Sequence, residues 1–326
     1  MNHKRSKIIL ACLLFTFSWR SFCFAEQESV QIHGDSSYEK PHLFDCLTKT
    51  PGDLKKFGKT TFRKKNIAII SLVVVGTGLL MLMDQRLVDR SKQLGHHLGI
   101  SQTNYQKTIT SIPMGKSKFE IEGPFDSGSA LYYIGDGWVE VLLAGGLVTY
   151  GLSKSDNRAL QTASQIAEAV LAAGIVAQGF KHVTGRASPF TNKSSGDTWR
   201  FFPNQKRYAA HVSTYDAFPS GHLTASMATL TVLAENYPEH TWIRPVGYSL
   251  FGLLGFQMMN NGVHWASDYP LSLALGYSFG KIAAKGGRKK IGQESSLKIY
   301  PMVLPGGGGI QTMYRFGRNQ ERQRKT

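Results

Sequence analysis

Apolar and polar positions along this chain fall into blocks of helical length, one after another from residue 67 to residue 284, rather than into the two-residue rhythm of strands. Residues 67–83 carry no charge over seventeen positions, the lower limit for a membrane span; the alternative is an apolar helix that packs on the protein or lies against a membrane. Residues 84–104 set Leu87, Leu94 and Leu98 among Arg, Lys and His, the pattern of an amphipathic surface helix. Residues 130–152 read as a helix that carries Asp136 and Glu140. Asp156 is placed to cap a further helix over 159–180, rich in alanine and with Glu168 inside it. Alanine at that density lets helices approach one another closely.

Residues 188–217 lose the periodicity and hold Trp199, Arg200, Phe201, Phe202, Lys206 and Arg207, a mixture fit to cover a phosphorylated ligand or to form a solvated loop with anchoring aromatics. Pro219 bars helix before it, Ser220 is a preferred N-cap and an apolar run over 223–234 follows, so His222 falls in the first turn of a helix. After a break at 238–245, residues 246–263 and 271–284 give two more helices, the second with Pro270 in its first turn. Strand-like content then replaces the helical pattern at 297–300 and 310–316, separated by Pro305 and a flexible glycine turn at 306–309. The pattern predicts an all-α helical bundle with a small C-terminal β-hairpin.

The ends of the chain modify this picture. Residues 1–25 have the form of a signal peptide, with Lys4, Arg5 and Lys7 before an apolar run and Cys23-Phe24-Ala25 as the cleavage site; an uncleaved anchor is the alternative. Cleavage would remove Cys12 and Cys23 and leave Cys46 alone, which excludes a disulfide-stapled scaffold. Residues 26–66 read as a polar N-terminal linker, 67–285 as the helical domain and 286–326 as a basic tail. The formal charge of +16 is concentrated in the cluster Lys55, Lys56, Lys59, Arg63, Lys64 and Lys65 and in the tail. Without a nucleic-acid-binding signature beside it, that charge suits anionic lipid headgroups or phosphorylated substrates and argues against nucleic acid.

The chemistry gathers in a few positions. A helix start at Ser220 and Gly221 offers free N–H groups to a phosphate. His264 and Asp268 stand at i and i+4, so the carboxylate can fix the imidazole in one tautomer and make its other nitrogen a better nucleophile. With Lys181 and His222, these groups suffice for phosphoryl transfer through a phosphohistidine.

The ordered set of residues 181–189, Pro219-Ser220-Gly221-His222 and 264–268 resembles the phosphatidic acid phosphatase type 2 superfamily, which includes lipid phosphate phosphatases, class A acid phosphatases and vanadium haloperoxidases. The likeness covers about residues 130–285. Two family arginines are replaced, by Ser188 and by Met258, and Arg186 lies two residues before the first vacant place. A serine or a methionine cannot make the forked contacts of a guanidinium with phosphate.

The resemblance implies a helical fold of the haloperoxidase type and a metal-independent phosphatase without a cofactor; with the signal pattern of residues 1–25 and the apolar stretch 67–83, the expectation is an exported enzyme on the periplasmic side of a bacterial membrane, membrane-associated or integral. Its substrate would be a phosphorylated lipid or a small phosphoester. It implies His264 as nucleophile, Asp268 as its orienting carboxylate and His222 as acid and base. Lys181, Arg186, Ser220 and Gly221 would hold the phosphate. The alternative is a weak or inactive member of the family that binds phosphorylated lipid headgroups. A haloperoxidase is disfavoured, because its oxyanion cofactor depends on the replaced cations.

Overall fold

The computed structural model describes residues 31–33, 36–114, 117–191, 198–290, 296–304 and 307–315; the signal read over 1–25 lies outside them. Ten α-helices run among the described residues: α1 (Asp45–Thr61), α2 (Ile67–Met81), α3 (Asp84–His97), α4 (Ser127–Tyr133), α5 (Gly137–Lys154), α6 (Asn157–Thr184), α7 (Gln205–Ala210), α8 (Gly221–Asn236), α9 (Ile243–Asn260) and α10 (Tyr269–Ala283). The expected all-α bundle is what forms.

Helix α6 is its axis. The Asp156 carboxylate accepts from the Ala159 N–H at 3.0 Å and starts the helix as expected. Along its length Ala163, Ile166 and Ala169 pack with Ala144 of α5, Ala228 and Val232 of α8, and Ala283 of α10. Further on, Ala172, Ala173 and Ala177 meet Leu275 and Phe279 of α10, with Leu54 and Phe57 of α1 against them. Such small side chains bury little area each, so cohesion comes from the close approach of the helices and the density of contact it allows. Helix α10 approaches α8 in the same way. A Cβ at Gly276 would stand 2.7 Å from Met227 Cβ, and one at Gly280 would stand 2.8 Å from the Ala228 carbonyl.

One end of α8 is closed by polar contacts. The Asn236 carbonyl, an orphan of the last turn, accepts from Arg158 Nε at 2.8 Å and from the Tyr38 hydroxyl at 3.2 Å. Its amide nitrogen donates to Thr162 Oγ1 at 2.9 Å and Gln165 Oε1 at 2.6 Å.

Several elements depart from the reading of the sequence. Residues 26–66, expected as a linker, hold α1, which docks through Leu54 and Phe57; Phe57 stacks on Phe279 with centroids 4.6 Å apart. Pro51, two glycines and many lysines hide its short apolar face. The same stretch supplies β1 (Gln31–His33) and β2 (Ser36–Tyr38), and β2 pairs antiparallel with β5 (Arg288–Lys290), so the basic stretch after α10 is a strand. The helix expected over 130–152 is two, α4 and α5, bent by 56°. Asp136 caps the second by accepting from Trp138 N at 3.1 Å, and a Cβ at Gly135 would come within 3.1 Å of His222 Cβ.

An unexpected hairpin joins β3 (Gln106–Met114) to β4 (Ser117–Pro124). The expected C-terminal hairpin is present as β6 (Ser296–Leu304) and β7 (Gly307–Arg315), but Gly307, Gly308 and Gly309 lie in the strand register rather than in the turn.

Among the described residues two helices are long and apolar enough to cross a membrane, Lys64–Met81 and Asn157–Thr184, or up to three if the bent α4–α5 pair forms one span. They differ in their surroundings: 67 % of an eighteen-residue apolar stretch of the second is buried in the protein, against 6 % of the first. Ile67, Ile69, Leu72, Val74, Val75 and Leu79 of α2 are exposed.

Gly276→Ala should destabilise the bundle by about 1–3 kcal/mol through overpacking against α8. Gly252→Ala, in α9 with nothing within 4 Å of the added Cβ, should stabilise it by up to about 1 kcal/mol. Denaturation midpoints of the two variants check the contrast.

Candidate active site

The site forms where the end of α6, the start of α8 and the turn before α10 meet. Lys181 lies in the last turn of α6 and is buried, with Nζ 3.8 Å from Asp216 Oδ2. Helix α6 then stops at Gly185 in the left-handed conformation (φ 54°), and a Cβ there would lie 3.0 Å from the Arg200 carbonyl carbon. That stop turns Arg186 inward.

At the start of α8 the Ser220 hydroxyl accepts from Leu223 N at 3.5 Å as the N-cap. A Cβ on Gly221 would stand 3.6 Å from Lys181 Nζ, so the bare backbone leaves the ammonium beside the helix start. His222 follows in the first turn, its ring 4.6 Å from that of Tyr132 and 6.1 Å, edge to face, from that of His264.

The third piece is the 3₁₀ turn Ala266–Asp268 and the residues before it. His264 Nδ1 is 2.8 Å from the Ala217 carbonyl oxygen and 3.4 Å from Asp268 Oδ2. A carbonyl oxygen only accepts, so the proton sits on Nδ1 and the lone pair on Nε2. The closest orienting contact is therefore backbone, where the sequence pointed to Asp268. The Asp268 carboxylate also accepts from Trp265 N at 2.8 Å, and the Asp268 carbonyl accepts from Ser220 N at 3.5 Å, joining this turn to the α8 start. The structure thus brings Lys181, Ser220, Gly221, His222, His264 and Asp268 together.

Arg186, expected at the phosphate, is placed elsewhere. Its side chain is 3 % exposed and its two terminal nitrogens are engaged: Nη1 donates to Asp268 Oδ1 and, at 2.7 Å, to Ser267 Oγ, and Nη2 donates to Asp84 Oδ2 at 2.6 Å. The rings of Trp199 and Trp265 lie 4.7 and 5.5 Å from the guanidinium carbon. Asp84 is a residue that sequence reasoning missed. Its Oδ1 accepts from Ser267 N at 3.0 Å and its Oδ2 from Ser267 Oγ at 2.5 Å. The available signal was an aspartate as the first charge after seventeen uncharged residues. Burial first, then the Asp268 and Asp84 carboxylates, pushes the Tyr269 phenol well above its ordinary range.

The two replaced arginines have become packing. Ser188 is buried in a turn, its N–H donating to the Ser213 carbonyl at 3.0 Å. Met258 is fully buried with Tyr132, Leu223 and Leu254, and its sulfur accepts from Ser220 Oγ at 3.6 Å. Among the loop cations, Arg200 lies over the Tyr215 ring at 5.5 Å, and Lys206 and Arg207 are exposed on α7. Among the described residues no group of three or more His, Cys, Asp or Glu is arranged to hold a metal ion.

Arg186→Gln should cost about 3–5 kcal/mol, because two buried carboxylates lose their counter-ion. Exposed Lys206→Ala should stay within about 0.5 kcal/mol of the parent. Urea unfolding of both variants measures the difference.

Comparison with curated proteins found no match, and neither did comparison with solved structures. A family model, that of the PAP2 superfamily, matches residues 162–291. The matched segment begins within α6 and takes in all three pieces of the site. Over residues 162–291, therefore, this chain is similar to the PAP2 superfamily.

Proposed function

We propose that this chain is an exported phosphatase that hydrolyses phosphomonoester or diphosphate groups, those of lipids foremost, through a phosphohistidine on His264. Phosphatase-type activity in general goes with the superfamily. The observation that carries the finer reading is the His264 tautomer: Nδ1 bound to the Ala217 carbonyl leaves the lone pair on Nε2, with the His222 ring 6.1 Å away.

In the first step the Nε2 lone pair forms the N–P bond as the P–O bond to the leaving group breaks, and the leaving oxygen takes a proton from the His222 imidazolium. In the second, His222 removes a proton from water, the water oxygen attacks phosphorus and the N–P electron pair returns to Nε2. Lys181 and the first amides of α8, Gly221 among them, stabilise the equatorial oxygens.

A lipid substrate is supported by the exposed apolar face of α2 and by six exposed cations, Lys55, Lys56, Lys59, Arg63, Lys64 and Lys65, directly before it. Export rests on the pattern of residues 1–25, and the reaction is assigned to the periplasmic side of a bacterial membrane. A second reading, a module that binds phosphorylated headgroups without turnover, is favoured by one observation: Arg186 is committed to Asp84 and Asp268 instead of the two vacant arginine places.

Phosphate release by the purified chain on a panel of lipid and soluble phosphoesters should fall to background in His264→Ala with the fold intact. In His222→Ala it should fall by about 10²- to 10⁴-fold. No release above the His264→Ala level on any substrate, with phospholipid still bound, would overturn the enzyme reading in favour of the binding module.

A further inference from the structure

The geometry points to Asp84 as a positioning residue for this reaction: it supplies the buried negative charge that keeps Asp268 effective toward His264 while Asp268 is tied to Arg186. The inference rests on the phosphohistidine reading above. Arg186 and Asp268 alone would form a neutral pair, and a neutral pair gives little support to a cation on the neighbouring imidazole. With Asp84 on the other side of the guanidinium, two carboxylates share one positive charge, and the trio carries one negative charge in excess.

Little water screens that charge, since Asp84 is 5 % exposed, Arg186 3 % and Asp268 0 %. Among the described residues, the other charged groups near the site include Lys181 and Asp216, which oppose each other at 3.8 Å, Asp136, whose charge with that of Asp216 acts on Tyr132 beside His222, and the His222 ring when it is protonated. The excess negative charge is needed at one moment. When Nε2 of His264 bonds to phosphorus, Nδ1 keeps its proton on the Ala217 carbonyl and the ring becomes a cation, 3.4 Å from Asp268 Oδ2. The amide of an asparagine at position 84 would have one acceptor oxygen for the bonds that two carboxylate oxygens now accept from Ser267 N, Ser267 Oγ and Arg186 Nη2, so it would lose the charge together with at least one of those bonds, while loss of the Ser267 hydroxyl would remove hydrogen bonds alone.

Asp84 and Ser267 can be separated experimentally. Asp84→Asn keeps the shape and removes the charge along with at least one hydrogen bond. Ser267→Ala removes hydrogen bonds to Asp84 and Arg186 and keeps every charge. On the substrate that the wild-type chain hydrolyses best, kcat of Asp84→Asn is expected to fall about 10- to 100-fold, with KM within about twofold because Asp84 is not placed to touch phosphate. Ser267→Ala should lose about threefold or less in kcat. Orthovanadate, which mimics the five-coordinate phosphorus, should bind Asp84→Asn more weakly by the same factor as kcat falls, while inorganic phosphate binds within about twofold of wild type.

Equal losses of kcat in the two variants, in step with their melting temperatures, would make Asp84 structural only and overturn the inference. So would full activity in Asp84→Asn. If Asp84→Asn does not fold, Asp84→Glu decides: a folded Asp84→Glu as inactive as His264→Ala overturns the inference, and one keeping a tenth or more of wild-type kcat upholds it. A wild-type chain that neither releases phosphate nor binds vanadate overturns the phosphohistidine reading itself, and this inference with it.

Discussion

Arg186 lies between Asp84 and Asp268 with two indoles close by, and taking three charged groups out of water is costly unless each finds its partners. Here the partners come from three separate parts of the chain: the start of α3, the residue after the stop of α6, and the turn that carries His264. None can move alone without leaving a buried charge unpaired. The arginine also acts through its backbone. Its carbonyl accepts from Ala217 N at 2.9 Å, and the Ala217 carbonyl is the one that holds His264 Nδ1. His264 is thus fixed by two routes that both pass through Arg186.

That cluster needs a scaffold able to deliver chain ends close together, and the small side chains of α6 provide it. Alanines along one helix and Gly276 and Gly280 on another let α6, α8 and α10 approach until the end of α6 and the beginning of α8 lie side by side. Lys181 then reaches the first turn of α8 beside a glycine, its Nζ 3.6 Å from where a Cβ on Gly221 would stand. Helix α2 follows a different rule. Its side chains remain largely outside the packed core, yet three residues after its end Asp84 enters the cluster. The apolar element and the candidate catalytic turn are therefore mechanically joined through one buried carboxylate.

Much of this could be read before folding. Apolar spacing gave helices where α3, α6, α8, α9 and α10 stand, and the Pro219-Ser220-Gly221-His222 signal put a capped helix start under His222, since Ser220 and Leu223 need only local geometry to meet. The pairing of β2 with β5, the docking of α1 and the break between α4 and α5 were not legible. Each depends on partners far along the chain: Phe57 needs Phe279, β2 needs β5, and Gly135 is fitted against His222 and Leu254.

Arg186 illustrates the boundary most clearly. From spacing alone it was the nearest cation to a vacant phosphate site, and spacing cannot reveal a carboxylate 102 residues away in sequence. Local chemistry, caps, periodicity and residue types at fixed offsets were determined by the sequence itself, because those interactions act over one or two turns. Only the tertiary structure decided that Ala217 rather than Asp268 makes the closer contact to His264 Nδ1 and that Met258 and Ser188 became packing. It also decided that Arg186 answers to Asp84. Burial and charge pairing depend on which distant segments share one dry volume, and that follows from the packing of the whole bundle.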